Sequence, residues 1–342
     1  MQAPKAWESH WSYRILRPYT NWVVRTSLLR LKHRGNLPAD GALILCPNHT
    51  NALWDPLVLL PLIHRRIVFG ARQDVFRKPV LNWFIRMAGV VPISRIRDGI
   101  REVSNNLETF DDMQECLNRG LPICLFGEGT HRQMHSLQPI RKGLARLALE
   151  SAKTRKTWLV PIGIEYGNWT HYVTTCQVSY GSAIDVNAVV EALPELQPAD
   201  LSKLLQDSIF EGIKEQILYL PDDDTYPQAW KEVKARRKRT PYALKLLAAL
   251  ATFPLFLLCS LLTFPLPMVS EYICKKLEDR AFCNSVRFLI HWAGTPVLTL
   301  FWGIVFFCTL PWWAALPLTI AALFAYPAFH AWLALIDWTD CD

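Results

Sequence analysis

The sequence predicts an α/β domain, a buried sheet flanked by helices, joined to a C-terminal membrane region. Three observations predict it. Between residues 35 and 220, short apolar runs alternate with longer amphipathic patterns, the signature of a layered sheet-and-helix core. Two tracts, residues 246–270 and 288–336, contain no Asp, Glu, Lys or Arg. Hydrophobic residues make up 51% of the 342 and charged residues 20%, with a mean hydropathy of +0.11. That balance excludes a disordered chain, which needs low hydrophobicity and high charge. Gly and Cys contents of 15 and 9 exclude collagen-like and disulfide-scaffold chains.

Residues 1–10 contain no apolar core of a signal peptide. Residues 11–34 interleave Trp11, Tyr13, Tyr19 and Trp22 with Arg14, Arg17, Arg25, Arg30 and Lys32. Aromatic and basic side chains at helical spacing suit a helix lying on an anionic membrane surface. An ordinary amphipathic helix packed on the domain is the alternative. Residues 1–34 are therefore expected to form a membrane-surface helix, and residues 35–221 the α/β domain. Within it, strands are expected at 42–46, 66–69, 90–93, 121–126, 158–164 and 174–180. Helices are expected at 56–63, 79–87, 101–118, 140–152 and 199–218.

Residues 222–242 read as a linker whose second half is basic: Lys231, Lys234, Arg236, Arg237, Lys238 and Arg239 face one acid, Glu232. The membrane region, 243–342, begins with an element at 243–269 that either spans or re-enters, given Pro254, Pro265 and Pro267. Residues 288–338 are long enough for a helical hairpin turning near Pro311-Trp312-Trp313. Basic flanks mark the cytoplasmic side. Both basic flanks of the first tract (231–239, then Lys275, Lys276, Arg280 and Arg287) share that side if the tract does not cross. The net charge of +7 finds its partner in anionic lipid. Nucleic acid is disfavoured, because the basic clusters flank apolar segments. The nine Cys show no C-x-x-C spacing and are odd in number, which argues against a zinc site or disulfide framework and for a reducing compartment.

Chemistry concentrates at strand exits. After the strand at 42–46 comes Pro47-Asn48-His49-Thr50-Asn51-Ala52-Leu53-Trp54-Asp55-Pro56. A His at a strand end is placed to act as a general base, and a carboxylate can orient it. On one continuous helix His49 and Asp55 would lie about 240° apart, so the segment must turn for them to meet. The strand at 121–126 runs into Gly127-Glu128-Gly129-Thr130-His131-Arg132, a loop whose glycines permit a tight backbone. Arg141 and Lys142 open the next helix, where anions are favoured. Arg95 ends the run Gly89-Val90-Val91-Pro92-Ile93-Ser94-Arg95 and suits bidentate phosphate binding.

These blocks, in this order and followed by Leu159-Val160-Pro161-Ile162, resemble the glycerolipid acyltransferase family, which acylates glycerol 3-phosphate or lysophosphatidic acid. The resemblance spans roughly residues 35–220. Three departures stand out. Five residues separate His49 from Asp55 where the family usually has four, Gly127 replaces a Pro, and His131 stands where Arg is usual. Together with Leu137-Gln138-Pro139-Ile140-Arg141-Lys142-Gly143 they look like a branch holding fungal glycerol-3-phosphate/dihydroxyacetone-phosphate acyltransferases and many bacterial relatives.

The resemblance implies a mixed sheet flanked by helices, and an acyl transfer from a thioester (acyl-CoA or acyl carrier protein) to a phosphate-bearing glycerol acceptor. It implies His49 as base and Asp55 as its orienting partner. Arg95, Glu128, Gly129 and Thr130 would hold the acceptor with help from Arg141 or Lys142, and Pro161 would line the acyl path. No metal or organic cofactor is implied. The expected location is the cytoplasmic face of a membrane, such as a bacterial inner membrane. Dihydroxyacetone phosphate or another lysolipid is an alternative acceptor, and a non-catalytic lipid-binding protein is the alternative class. A serine hydrolase is disfavoured by the lack of a Gly-x-Ser-x-Gly elbow.

Overall fold

The computed structural model describes residues 11–72, 89–93, 100–236 and 240–337. The helix expected at 79–87 lies outside the described residues. In chain order the elements are α1 (Trp11–Thr26), β1 (Leu28–Arg34), β2 (Ala42–Pro47), α2 (Trp54–Leu59), β3 (Val68–Arg72), β4 (Val90–Ile93), α3 (Ile100–Asn118) and β5 (Ile123–Cys124). Then follow α4 (Lys142–Ala152), β6 (Thr157–Tyr166), β7 (Thr174–Tyr180), β8 (Ile184–Asp185), α5 (Val186–Ala192), α6 (Pro198–Lys214) and α7 (Tyr226–Arg236). The C-terminal helices are α8 (Tyr242–Thr263), α9 (Leu266–Lys276), α10 (Cys283–Thr309) and α11 (Trp312–Ile336).

The strands form one mixed sheet in the order β1-β7-β6-β2-β5-β3-β4, with β8 paired to the start of β6. β6 runs antiparallel to β7 and β8, and the other neighbours are parallel. Alternation along the central strands sends side chains into two layers. Leu43, Leu45, Val160, Ile162 and Ile164 pack with Val23 and Val24 of α1, Trp54, Val58 and Leu59 of α2, and Phe288 and Tyr326 of α10 and α11. Ile44, Cys46 and Leu159 pack with Leu117 of α3, Leu144 and Leu147 of α4, and Leu205 and Ile209 of α6. The C-terminal helices therefore dock on the first layer, the same side as α2.

The helix expected over residues 11–34 is shorter. It stops at Thr26, where Thr26 Oγ1 and Ser27 Oγ bond back to the Trp22 and Val23 carbonyls at 3.0 and 2.7 Å. Residues Leu28–Arg34 instead form an edge strand parallel to β7. Arg30 and Lys32 read as helix-face charges in the sequence, but basic side chains are equally suited to a sheet edge that must resist pairing with another chain. Nor does α1 lie free on a surface. Arg17 donates to the Ile63 and Arg65 carbonyls, and Arg25 to Pro61 O at 2.7 Å, so these guanidiniums close the end of α2. Tyr19 donates to Trp292 O at 2.7 Å, and Trp11 and Ile15 remain exposed. The linker also contains a helix, α7, anchored by the buried Trp230.

Among the described residues, three helices, Tyr242–Thr263, Arg280–Thr309 and Trp312–Ile336, are long and apolar enough to cross a membrane. Helices α10 and α11 are antiparallel and turn at Leu310-Pro311. The contacts of α8 set its depth. Trp332 donates to Ala249 O, Phe256 stacks on Phe329 and Trp332, and Trp302 donates to Leu262 O. Thus α8 descends from the domain end toward the far end of the hairpin. After Phe264-Pro265, α9 comes back: Leu266 presses on Gly294, whereas Cys274 meets the Cys283 carbonyl. Eleven positions of α10 separate those levels, about 16 Å of rise. Lys275 and Lys276 therefore end up at the domain end of the bundle.

A cysteine placed at Glu278, in a background lacking Cys283 and Cys308, is expected to react with an impermeant thiol reagent from the side that reaches Lys231→Cys. Trp312→Cys should react from the opposite side. Labelling of positions 278 and 312 from one common side would contradict this arrangement of α9.

Candidate active site

The C-terminal ends of β2 and β5 are adjacent, because the two strands pair in parallel, and their exit loops form the site. Asn48 fixes the first loop. Its amide side chain accepts from Ile164 N at 2.7 Å and donates to Ile164 O at 3.1 Å, standing in for a strand partner. The next residues then turn sharply. Trp54 N donates to Asn51 O at 2.9 Å, and Ala52 takes a left-handed φ of 45°. This turn absorbs the five-residue spacing. Helix α2 starts at Trp54, so Pro56 is its third residue rather than its first.

The turn brings His49 Nδ1 to 2.7 Å from Asp55 Oδ2. The same oxygen accepts from Thr50 N and Asn51 N, both at 2.8 Å, and Oδ1 accepts from the Tyr166 hydroxyl at 2.9 Å. Asp55 is wholly buried, whereas the His49 side chain keeps 16% of its surface exposed. Burial, reinforced by the Asp55 charge, pushes the Tyr166 phenol well above its ordinary range, so it remains an O–H donor. With Nδ1 engaged, the imidazole presents Nε2 outward, and among the described residues that nitrogen has no hydrogen-bond partner. The ring stacks on Phe126 at 4.2 Å and meets the His131 ring edge-on at 5.3 Å.

Glu128 joins the two loops. One carboxylate oxygen accepts from His49 N at 2.8 Å, the other from Gln138 N at 2.9 Å. Burial pushes its carboxyl above the ordinary range, and the two backbone N–H donors hold it back. Arg132 N also donates to His49 O at 3.0 Å. Gly129, with φ of 73°, turns the chain so that its N–H meets Phe126 O at 3.0 Å. Thr130 Oγ1 donates to Gln138 Oε1 at 3.0 Å, and Gln138 Nε2 donates to the Thr130 carbonyl at 3.3 Å.

Residues 29–165, from β1 to the end of β6, match a protein-family model described as Acyltransferase. They form an acyltransferase-family domain. Over 117 residues the chain is 28% identical to a chloroplastic 1-acyl-sn-glycerol-3-phosphate acyltransferase of Brassica napus, a match covering 34% of this chain and 32% of that relative. The chain thus aligns with about a third of the relative's length. The crystal structure of the 1-acyl-sn-glycerophosphate acyltransferase PlsC from Thermotoga maritima superposes with a TM-score of 0.42 at 16% identity, covering 67% of this chain and 86% of that one. The family model is described as an acyltransferase, and the ordered motifs resemble those of the glycerolipid acyltransferases.

Within the acyltransferase domain, His49, Asp55, Glu128, Gly129 and Thr130 come together. Glu128 engages both oxygens with backbone amides, and so ties the two loops together. Arg141 lies beside them, its Nε donating to Glu128 O at 3.4 Å, and Lys142 is exposed at the first turn of α4. Pro161 is placed elsewhere: it is buried on the opposite face of the sheet, where a Cβ on Gly212 of α6 would lie 2.6 Å from its ring. That position packs α6 and does not border the His49 loop. Arg95 lies outside the described residues. Asn48 and Tyr166 are the site residues the sequence reading missed. Asn48 stood inside the motif without an assigned role. Tyr166 is reachable only through the β2–β6 register, since 111 positions separate it from Asp55.

Replacing Tyr166 by Phe strands one oxygen of a buried carboxylate. Thermal unfolding of the purified protein should show a loss of about 1.5–3 kcal/mol, the range for hydrogen bonds to charged groups. An unchanged melting temperature would mean that Asp55 does not need this donor. Ala52→Gly removes the cost of a left-handed non-glycine residue and should raise stability by up to about 1 kcal/mol; a lowered melting point would contradict the strained turn.

Proposed function

We propose that the chain is a membrane O-acyltransferase that moves a fatty acyl group from an acyl thioester to a hydroxyl of glycerol 3-phosphate or lysophosphatidic acid. The observation carrying this reading is the His49–Asp55 pair, with Nε2 turned outward at the end of an acyltransferase-family strand. Asp55 holds Nδ1–H, so that Nε2 carries the lone pair. Nε2 takes the proton of the acceptor hydroxyl as its oxygen attacks the thioester carbonyl. A C–O bond forms, the C–S bond breaks, and the proton passes from His49 to the departing thiolate. A thioester is already activated, so general-base help of about 10²–10⁴-fold together with positioning suffices, with no acyl-enzyme. Cys46 and Cys124 are no rival nucleophiles, because burial pushes both thiols up.

Arg141, Lys142 and Arg95 are the cations proposed for the acceptor phosphate. The donor is acyl-CoA or acyl carrier protein, and the catalytic face is the cytoplasmic one, following the basic flanks. The name of the Brassica napus relative favours 1-acylglycerol 3-phosphate as acceptor.

The test is an acceptor panel (glycerol 3-phosphate, dihydroxyacetone phosphate and 1-acylglycerol 3-phosphate) run with both thioester donors on the purified full chain. Ester formation with at least one acceptor is expected, and His49→Ala should lose about 10²-fold or more in kcat/KM while remaining folded by circular dichroism, with a lowered melting temperature because Asp55 loses one donor. Most of the activity surviving in His49→Ala would reject the base assignment.

A further inference from the structure

The His49 ring belongs to a row of four. Phe126 stacks on His49 at 4.2 Å, His49 meets His131 at 5.3 Å, and His131 meets Phe282 edge-on at 5.0 Å. Phe282 lies far outside residues 29–165, which match the acyltransferase family model, and beyond the strands of the sheet. It sits directly before α10, and 41% of it is exposed. The same short segment supplies Asp279, whose Oδ2 lies 2.7 Å from His131 Nε2. Its Oδ1 accepts from Ala281 N at 2.9 Å, which pins the carboxylate in place. The site thus holds two imidazole–carboxylate pairs side by side. Asp55 fixes His49 from inside the domain, and Asp279 fixes His131 from the C-terminal region.

The accessible edge of His49 is where the acceptor hydroxyl must arrive. Whatever flanks that edge sets the angle of approach, and His131 flanks it. We propose that Asp279 is a positioning residue of the transfer reaction: it locks His131 as the acceptor-side wall of the His49 site, so that the segment before α10 completes an active site the domain cannot finish alone. Phe282 carries this wall outward to the apolar helices, which suits an acceptor whose acyl chain stays in lipid while its hydroxyl reaches Nε2. This inference rests on the acyltransferase reading above. Misplacement near the reacting atoms costs rate and acceptor binding steeply, whereas the thioester donor makes no use of this wall.

Steady-state kinetics of the detergent-purified full chain test it, with Asp279→Ala, Asp279→Asn and Phe282→Ala measured against donor and acceptor separately. Asp279→Ala should raise the acceptor KM by about tenfold and leave the donor KM within about twofold. Asp279→Asn keeps its one oxygen for Ala281 N and turns its amide N–H to His131 Nε2 as a donor, and should restore the acceptor KM. Phe282→Ala should raise KM for 1-acylglycerol 3-phosphate and leave that for glycerol 3-phosphate unchanged. Wild-type kinetics in Asp279→Ala, an equal loss for donor and acceptor, or failure of Asp279→Asn to restore the acceptor KM would overturn the role of Asp279. Equal KM changes for the two acceptors in Phe282→Ala would overturn the lipid-side wall. A wild-type chain that transfers no acyl group to any acceptor would instead reject the acyltransferase reading itself.

Discussion

The site depends on one buried carboxylate being fully satisfied. A lone ionised group in an apolar interior is expensive, and Asp55 escapes that cost by collecting His49 Nδ1, two backbone amides and the Tyr166 hydroxyl. Each donor comes from a part of the fold that must be in place first. The amides need the left-handed turn at Ala52, Tyr166 needs the β6 register, and His49 needs the Asn48 anchor to β6. The folding of the sheet and the orientation of the base are therefore one event. The same logic applies to Glu128, whose two oxygens tie the His49 loop to the loop preceding α4.

The domain and the C-terminal helices are not two independent units. Residues 168–172 follow β6 and receive bonds from the bundle: Asn284 to Trp169 O at 2.7 Å, Arg287 to Thr170 O at 2.8 Å, and Asp337 paired with His171 at 2.6 Å. Tyr172 and Ser27 meet His291 within one buried polar cluster. Trp169 O also accepts a long bond from Asn51 in the turn after His49. The apolar C-terminal helices and the His49 loop are thus braced on one another.

Much of this was legible in the sequence, for identifiable reasons. The strand at 174–180 and the helix starting near 100 stand out because their periodicities are uninterrupted. The uncharged tract from 288 shows its hairpin through Pro311 and the tryptophans beside it. His49, Asp55 and Glu128 were legible through motif order rather than spacing, since six positions on a helix would have held His49 and Asp55 apart. What stayed hidden is long-range. The strand at 28–34 looked helical because its basic residues answer to either period. Pro161 was assigned to an acyl path because a strand sequence does not say which face meets a helix. Asp279 and Phe282 carry no local signal at all; only packing brings residues 148 and 151 positions from His131 to its side.

The most direct measurement is an experimental structure with a non-reactive acceptor analogue bound. The account predicts its hydroxyl within about 3 Å of His49 Nε2, with Nδ1 still on Asp55. An acceptor hydroxyl seated away from this nitrogen, or a His49 ring turned off its carboxylate in the complex, would contradict it.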